Sequence, residues 1–342
     1  MWNWIVLAMV AGAGILATGC SDDVYPNLGG STTSLATSSS ARSVSSEASS
    51  SFSAASVGST IRVAFFNAED FNSDSLAGTG TWGTVADLVA TNGIDILILS
   101  ETEPYDAPRF SQALSDRGVA MDWRMTTSNT TDPNEDYLLK DEISVWSRFA
   151  ITGYSQVVRG FYPDPVSGNT VSAPRYIARV NIQVGSRSFW VYGGHLKAAD
   201  EEIDRQRRRA QAHALEEYIK SNHSEENDWI LVCGDMNTIT PSIEFIDAGT
   251  IGYLTMKSDN PGNTANDFTA VNLTHLPLPD GYTWRSPIWP DPKAFADAIL
   301  DHVILSPALY ARYVPGSVRI LMKGVSPRIS DHYPVMLDLS LE

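Results

Sequence analysis

The stretch Trp229-Ile-Leu-Val-Cys-Gly-Asp-Met-Asn237 is an apolar run that stops at a glycine and hands over to two polar side chains. A short run of this kind, rich in apolar and β-branched residues, reads as a strand. Side chains alternate in an extended chain, so Asp235 and Asn237, two residues apart, are expected on the same side. The pattern recurs outward from here. Asn67 ends a run from Ile61 to Phe66, Glu101 follows Ile94-Asp-Ile-Leu-Ile-Leu-Ser100, and Asp331-His332 directly precedes Pro334 to Leu341. Asp301 lies inside Ala298-Ile-Leu-Asp-His-Val-Ile-Leu305, a strand with little reason to bury a carboxylate unless it has a partner.

Further β-like runs cover Glu142 to Ser147, Tyr176 to Val184 and Ser188 to Tyr192. Helices are expected at Trp82 to Ala90, Pro108 to Asp116 and Asp200 to Ile219, the last with Ile203, Ala210, Ala214, Leu215 and Tyr218 at near-helical spacing. Many strands with few interposed helices imply sheets packed on each other and covered by helices. Any single polar residue here also has a bland reading. Asp235 would cap a turn, Asn67 would fill a left-handed turn position, and His195 or His332 would be a satisfied core histidine.

The N-terminus is set aside from the fold. Ile5 to Ala17 is mostly apolar and too short for a stable bilayer span, and it leads to Leu16-Ala17-Thr18-Gly19-Cys20. Residues 1–20 look like a bacterial lipoprotein signal with Cys20 as the lipidated residue, although Met1-Trp2-Asn3-Trp4 lacks the usual positive charge. Residues 21–58, rich in Ser, Ala and Thr, read as a flexible tether. The expectation is an exported chain, lipid-anchored to a bacterial membrane and facing the periplasm or the exterior, with a catalytic domain at 59–342. Of two cysteines, Cys233 lies in an apolar run, which leaves no disulfide.

The formal charge of -16 repels polyanions at long range and counts against a dedicated nucleic-acid binder. Arg205, Arg207, Arg208 and Arg209 are either a local lining that guides a phosphate or a solvated helix face.

Six segments in order carry a resemblance: Val63-Ala-Phe-Phe-Asn67, Leu97-Ile-Leu-Ser-Glu101, Val191-Tyr-Gly-Gly-His195-Leu, Val232-Cys-Gly-Asp235-Met-Asn237, Leu300-Asp301-His-Val-Ile-Leu-Ser and Ser330-Asp331-His332-Tyr-Pro-Val. Together they resemble the endonuclease/exonuclease/phosphatase superfamily, over about Arg62 to Leu341. The resemblance implies an α/β fold, a four-layered α/β sandwich of two facing mixed β-sheets flanked by helices. It also implies a divalent-metal-dependent hydrolase of phosphodiester bonds, either a nuclease or a small-diester phosphodiesterase. The alternatives are a lipid- or sugar-phosphate phosphoesterase and a non-catalytic binding domain.

By the same resemblance Asn67, Glu101 and Asp331 hold the metal. Oxygen ligands suit Mg²⁺ or Mn²⁺, and no His-Glu-x-x-His pair suggests zinc. His332 pairs with Asp301, while Asp235 with Asn237 positions or deprotonates the attacking water. His195 stabilises or protonates the departing oxygen, and Arg175 and Tyr192 contact the substrate. The partners implied are a phosphoester substrate, nucleic acid or a small diester, and a membrane through the lipid anchor, with no obligate protein partner. Ser100 and Leu300 depart from residues common in the family, and the Pro-x-Trp-x-Asp-Arg signature of inositol polyphosphate phosphatases is absent. The aromatic loop from Tyr282 to Trp289 either stacks on a base or headgroup or packs under the sheets.

Overall fold

Strand β10 (Trp229–Asp235) is buried at every position, and β2 (Ile96–Thr102) at all but one. A strand can be apolar on both sides only if both faces are covered, and three apolar clusters show how. Val63, Phe65, Ile98, Val191, Leu231, Val303 and Val335 pack between two sheets. Leu97, Leu99 and Phe66 face the other way, under helices α1 (Thr81–Asn92) and α2 (Ala107–Ser115). Ile230 and Val232 face α3 (Glu202–Asn222) and α5 (Thr250–Leu254) on the far side. The layers therefore run helix, sheet, sheet, helix, the expected four-layered sandwich.

This computed structural model describes residues 59–71, 81–102, 106–125, 142–238, 241–244, 246, 248–257, 264–271, 282–285, 297–321 and 329–342. The lipoprotein-like leader with Cys20 and the tether fall outside the described residues, as does most of the aromatic loop after Arg285. Among the described residues no helix is long and apolar enough to cross a membrane.

The first sheet has the order β13 (Arg319–Ile320), β14 (Val335–Ser340), β1 (Thr60–Phe71), β2, β4 (Glu142–Ser147), β3 (Asp122–Met125). The second has the order β11 (Thr269–Ala270), β12 (Asp301–Leu305), β10, β9 (Arg187–His195), β8 (Ile177–Val184), β5 (Ile151–Val157). Each is mixed, because β1 runs parallel to β2 and β10 parallel to β9 while the other neighbours are antiparallel. A separate hairpin of β6 (Gly160–Pro163) and β7 (Thr170–Ala173) lies beside α3.

Register puts the polar strand ends side by side. Asp235 is paired with His195 on one neighbour and with Asp301 on the other, so three strand ends of the second sheet deliver three functional groups in a row. In the first sheet Asn67 pairs with Ser100, which brings Glu101 next to it. The β9 and β10 backbones come so close that a Cβ at Gly234 would sit 2.0 Å from the Gly194 carbonyl oxygen. The glycine that ends the apolar run is thus required by backbone approach.

The arginine run on α3 divides: Arg205 and Arg207 are partly exposed and pair with Asp200, Glu202 and Asp204 nearby, while Arg208 and Arg209 are turned inward. Arg208 is fully buried and holds Glu244 together with the Lys197 and Ala199 carbonyls. Arg209 makes a two-pronged pair with buried Asp164, at 2.6 and 2.7 Å, which ties the β6–β7 hairpin to the helix.

Candidate active site

Strand alternation ends at Asp235, and this corrects one expectation. Asn237 lies beyond β10 with φ of +48°, so it does not share the side of Asp235 by alternation. Its N–H donates to Asp235 Oδ1 at 2.9 Å, an Asx-type turn, and its Nδ2 donates to the Leu196 carbonyl at 3.1 Å. Asp235 thus caps the turn with one oxygen while Oδ2 faces the site. Glu101 also adopts a left-handed conformation, with φ of +57°, at an irregularity inside β2 where pairing skips to Thr102. A glutamate has no local reason to accept that strain, which is typical of side chains re-aimed at functional sites.

Contacts across the seam join the two sheets. Asn67 Nδ2 donates to Glu101 Oε1 at 2.9 Å and to Asp235 Oδ2 at 3.0 Å. The structure turns the nitrogen of this amide toward the carboxylates, and its oxygen accepts the Glu69 N–H at 3.1 Å. His332 Nδ1 lies 2.8 Å from Asp301 Oδ2, and His332 Nε2 lies 3.5 Å from Asp235 Oδ2 and 3.7 Å from Asp331 Oδ1. His195 Nε2 stands 3.7 Å from Asp235 Oδ2 and 3.9 Å from Glu101 Oε1. Arg175 donates to the Leu196 carbonyl at 2.9 Å, beside His195.

The surroundings shift the two buried histidines in opposite directions. Burial drives the His195 pKa well below its ordinary value, and the Arg175 cation adds to the shift, so the ring is neutral. Burial also opposes charge on His332, but Asp301 first, then Asp235 and Asp331, outweigh it and raise the pKa to about 10. Burial pushes the Asp235 carboxyl upward against the pull of His332.

Ligand atoms of Asp235, Asp301 and His332 lie within 4.8 Å of one another, the spacing of a metal cage. The 2.8 Å contact between His332 Nδ1 and Asp301 Oδ2 also suits the trio to holding and orienting a proton on the ring. Asp235, Asp301 and Asp331 surround His332, and Glu101 lies by His195. Oxygen donors from Glu101 and Asp331 match the preference of a hard divalent cation. Asn67, expected as a ligand, instead turns its Nδ2 to Glu101 and Asp235 and its oxygen to the Glu69 N–H, so here it holds the carboxylates in place.

Nine of the sequence-selected residues converge here: Asn67, Glu101, Arg175, His195, Asp235, Asn237, Asp301, Asp331 and His332. Tyr192 does not, and a substrate contact for it is corrected. Three residues before His195 on an extended strand it takes the opposite face, where it is fully buried. Its hydroxyl lies 2.6 Å from His223 Nε2 and accepts from Arg179 at 3.2 Å. Residues the sequence did not single out also support the site. Ser330 Oγ donates to the Asn67 carbonyl and accepts from the His332 N–H. Glu69 accepts the Asp331 N–H, and the Trp284 indole donates to Asp331 Oδ2 at 2.7 Å. Ser330 precedes Asp331 in its motif and Trp284 lies in the aromatic loop, but neither position announces a contact so distant in sequence.

The chain matches the Endonuclease/Exonuclease/phosphatase family over residues 66–332 and belongs to that family. It is accordingly a metal-dependent hydrolase of phosphoester bonds. Among solved structures it is similar to D. rerio TDP2 complexed with a single-strand DNA product, at 14% identity and a TM-score of 0.58, covering 82% of this chain and 99% of that one. The human nocturnin catalytic domain with bound sulfate is 18% identical, with a TM-score of 0.55 and coverage of 82% and 94%. A mannosyl-6-phosphatase of Bacteroides thetaiotaomicron is 18% identical, with a TM-score of 0.54 and coverage of 81% and 98%. No curated protein matches the chain.

Proposed function

We propose that the chain is a Mg²⁺- or Mn²⁺-dependent phosphodiesterase acting outside the cytoplasm, as a nuclease or on small diesters. The observation that carries this reading is the geometry around Asp235 Oδ2, with His195 Nε2 at 3.7 Å on one side and His332 Nε2 at 3.5 Å on the other, the latter ring held through Nδ1 by Asp301 at 2.8 Å. In-line displacement at phosphorus needs a group to orient and deprotonate water, donors for the equatorial oxygens and relief of charge on the leaving oxygen. Asp235, kept as a carboxylate beside the His332 imidazolium, would take the water proton, with Asn237 beside it. His332, oriented by Asp301, would donate its Nε2 hydrogen toward a phosphoryl oxygen. Neutral His195 would stabilise the departing oxygen by a hydrogen bond rather than by giving up a proton, and Arg175 would meet the phosphate. Glu101 and Asp331 would hold the divalent cation, with Asn67 fixing the Glu101 carboxylate through its Nδ2. Once bound, the cation supplies polarisation of a phosphoryl oxygen and neutralisation of developing charge.

A diester carries one negative charge where a monoester carries up to two. The carboxylate-rich site therefore favours the diester, and the chain's net charge of -16 favours small or local substrates over long polyanions. The similarity to a mannosyl-6-phosphatase supports the second reading, a sugar- or lipid-phosphate phosphoesterase. A screen of bis(p-nitrophenyl) phosphate, p-nitrophenyl phosphate, plasmid DNA, RNA and sphingomyelin with Mg²⁺ and Mn²⁺ tests both. Turnover confined to the monoester would overturn the diester reading.

For the N-terminus, Cys20 and the tether support a lipid anchor on a bacterial membrane, with the catalytic domain at 59–342 on the periplasmic or outer side.

A further inference from the structure

The two members of the His332–Asp301 pair belong to different sheets. Asp301 opens β12 of the second sheet, while His332 leads into β14 of the first. Their 2.8 Å contact therefore depends on how the sheets are held at this end. Apolar packing between sheets is not directional and does not set a hydrogen bond to a fraction of an ångström.

Residues 283–285 supply directional contacts to both sides. The Thr283 and Trp284 N–H groups donate to the Ala298 carbonyl at 3.0 Å, and the Ala298 N–H returns a bond to Trp284 at 3.1 Å. Thr283 Oγ1, fully buried, accepts the N–H of Leu300 at 3.0 Å and of Asp301 at 3.1 Å. Toward the other sheet, the Tyr333 N–H donates to Thr283 at 2.7 Å and the Arg285 N–H to the Asp331 carbonyl at 2.9 Å. Three consecutive residues, Thr283 to Arg285, thus strap the backbone around Asp301 to that of Asp331 and Tyr333. Thr283 reaches the backbone of Asp301, and Trp284 reaches the side chain of a site residue, its Nε1 donating to Asp331 Oδ2 at 2.7 Å.

We propose that Trp284 is a positioning residue for Asp331, carried on a strap, residues 283–285, that fixes the two halves of the site across the seam between the sheets. An indole has one N–H and no acceptor, so it binds one carboxylate oxygen and leaves the other to the site. Here the remaining oxygen, Oδ1, is the one that lies 3.7 Å from His332 Nε2. A hydrogen bond to an ionised carboxylate is stronger than one between neutral groups, and such outer partners orient a ligating side chain. The aromatic loop therefore acts through its N–H as well as its bulk. The role assigned to Trp284 rests on the reading of Asp331 as a metal and phosphoester residue.

The test is Trp284→Phe in the full chain, which removes the N–H and retains most of the ring volume at a partly exposed position. Three quantities are compared with the unaltered protein: the Mn²⁺ dissociation constant by calorimetry, kcat/KM on bis(p-nitrophenyl) phosphate, and Tm. The expected result is a loss of about 10–100-fold in Mn²⁺ affinity, the range for lost outer partners, with a similar loss in kcat/KM and Tm within a few degrees. In an Asp331→Ala background Trp284→Phe should cost nothing further, because its partner is gone. Unchanged Mn²⁺ affinity overturns the proposal, as do multiplied losses in the double variant or a loss that only follows a fall in Tm. If the unaltered protein hydrolyses no diester, the phosphodiesterase reading fails, and the calorimetric comparison still decides the role of Trp284.

Discussion

Replacing Asp301 by Asn probes the pair that distinguishes a working site from a set of polar strand ends. The shape is kept and one buried charge is lost, 2.8 Å from His332 Nδ1. The raised His332 pKa, about 10 against an ordinary 6.5, corresponds to about 5 kcal/mol of preference for the charged ring at about 1.4 kcal/mol per pH unit. Asp301 is the foremost of the carboxylates that overcome burial, so its removal takes away the largest share. The ring should then lose its proton at a lower pH, and the histidine-linked limb of the rate profile should move down. For a comparable orienting carboxylate the rate loss is about 10⁴-fold.

The sign for stability follows from the same shift. A histidine raised above its unfolded value stabilises fully below about 6.5, and that contribution fades as pH rises through about 10. Urea unfolding in EDTA should therefore show the unaltered protein losing stability between those limits, and Asp301→Asn losing less. His332→Ala and the double variant complete the cycle, because residues acting as one unit lose little more together than the worse one alone. Strictly multiplied rate losses, an unmoved pH limb and an unaltered slope of stability would refute the pairing.

Glu101→Gln keeps the side chain's shape and removes the charge a hard cation requires, so Mg²⁺-dependent turnover and Mn²⁺ binding should collapse while circular dichroism is unchanged. Turnover within a few-fold of the unaltered enzyme would move the metal elsewhere. Asp164→Asn strands the buried Arg209 guanidinium and should cost about 3–5 kcal/mol in urea unfolding. Burial opposes the Asp164 charge but Arg209 and Ser167 lower its pKa overall, so its contribution is present above about pH 4 and lost as pH falls through the depressed value. A variant as stable as the unaltered protein at pH 7 would show the pair to be dispensable. Cys20→Ala should release the protein from the membrane fraction without altering the activity of the released domain; lipid still present in that variant would end the lipoprotein reading.

Sheets packed on each other and covered by helices were legible from many strands with few interposed helices, while the four-layered order came from the resemblance. The structure explains it by strands apolar on consecutive residues, as at Ile96–Leu99 and Trp229–Cys233, which are covered on both faces. Part of the site was legible because buried polar side chains at or near the ends of apolar runs need partners; Arg175, Tyr192 and the roles came from the family resemblance alone. Nine of the ten catalytic, metal and substrate residues named meet in space. Tyr192 failed because a three-residue offset from His195 on an extended strand reverses the face, a rule the sequence itself contains.

Asn237 failed to follow alternation for a different reason. The strand stops one residue too early, and a left-handed turn, closed by Asp235 Oδ1, sets its direction. Arg208 and Arg209 on α3 looked exposed because their buried partners, Glu244 and Asp164, lie 36 and 45 residues away. The strap at 283–285 was hidden for the same reason. Its hydrogen bonds reach residues 14 to 50 positions on, and nothing local marks a threonine hydroxyl or an indole N–H for such partners. Sequence alone determined which apolar runs become strands and which chemistry the polar residues bring, because periodicity and residue type are local, but β1 runs on past Asn67 to Phe71 and β2 past Glu101 to Thr102. The tertiary structure alone decided which oxygen faces which nitrogen and in which direction each histidine is shifted. Those depend on register between strands, on the seam between the sheets and on how deeply each group is buried.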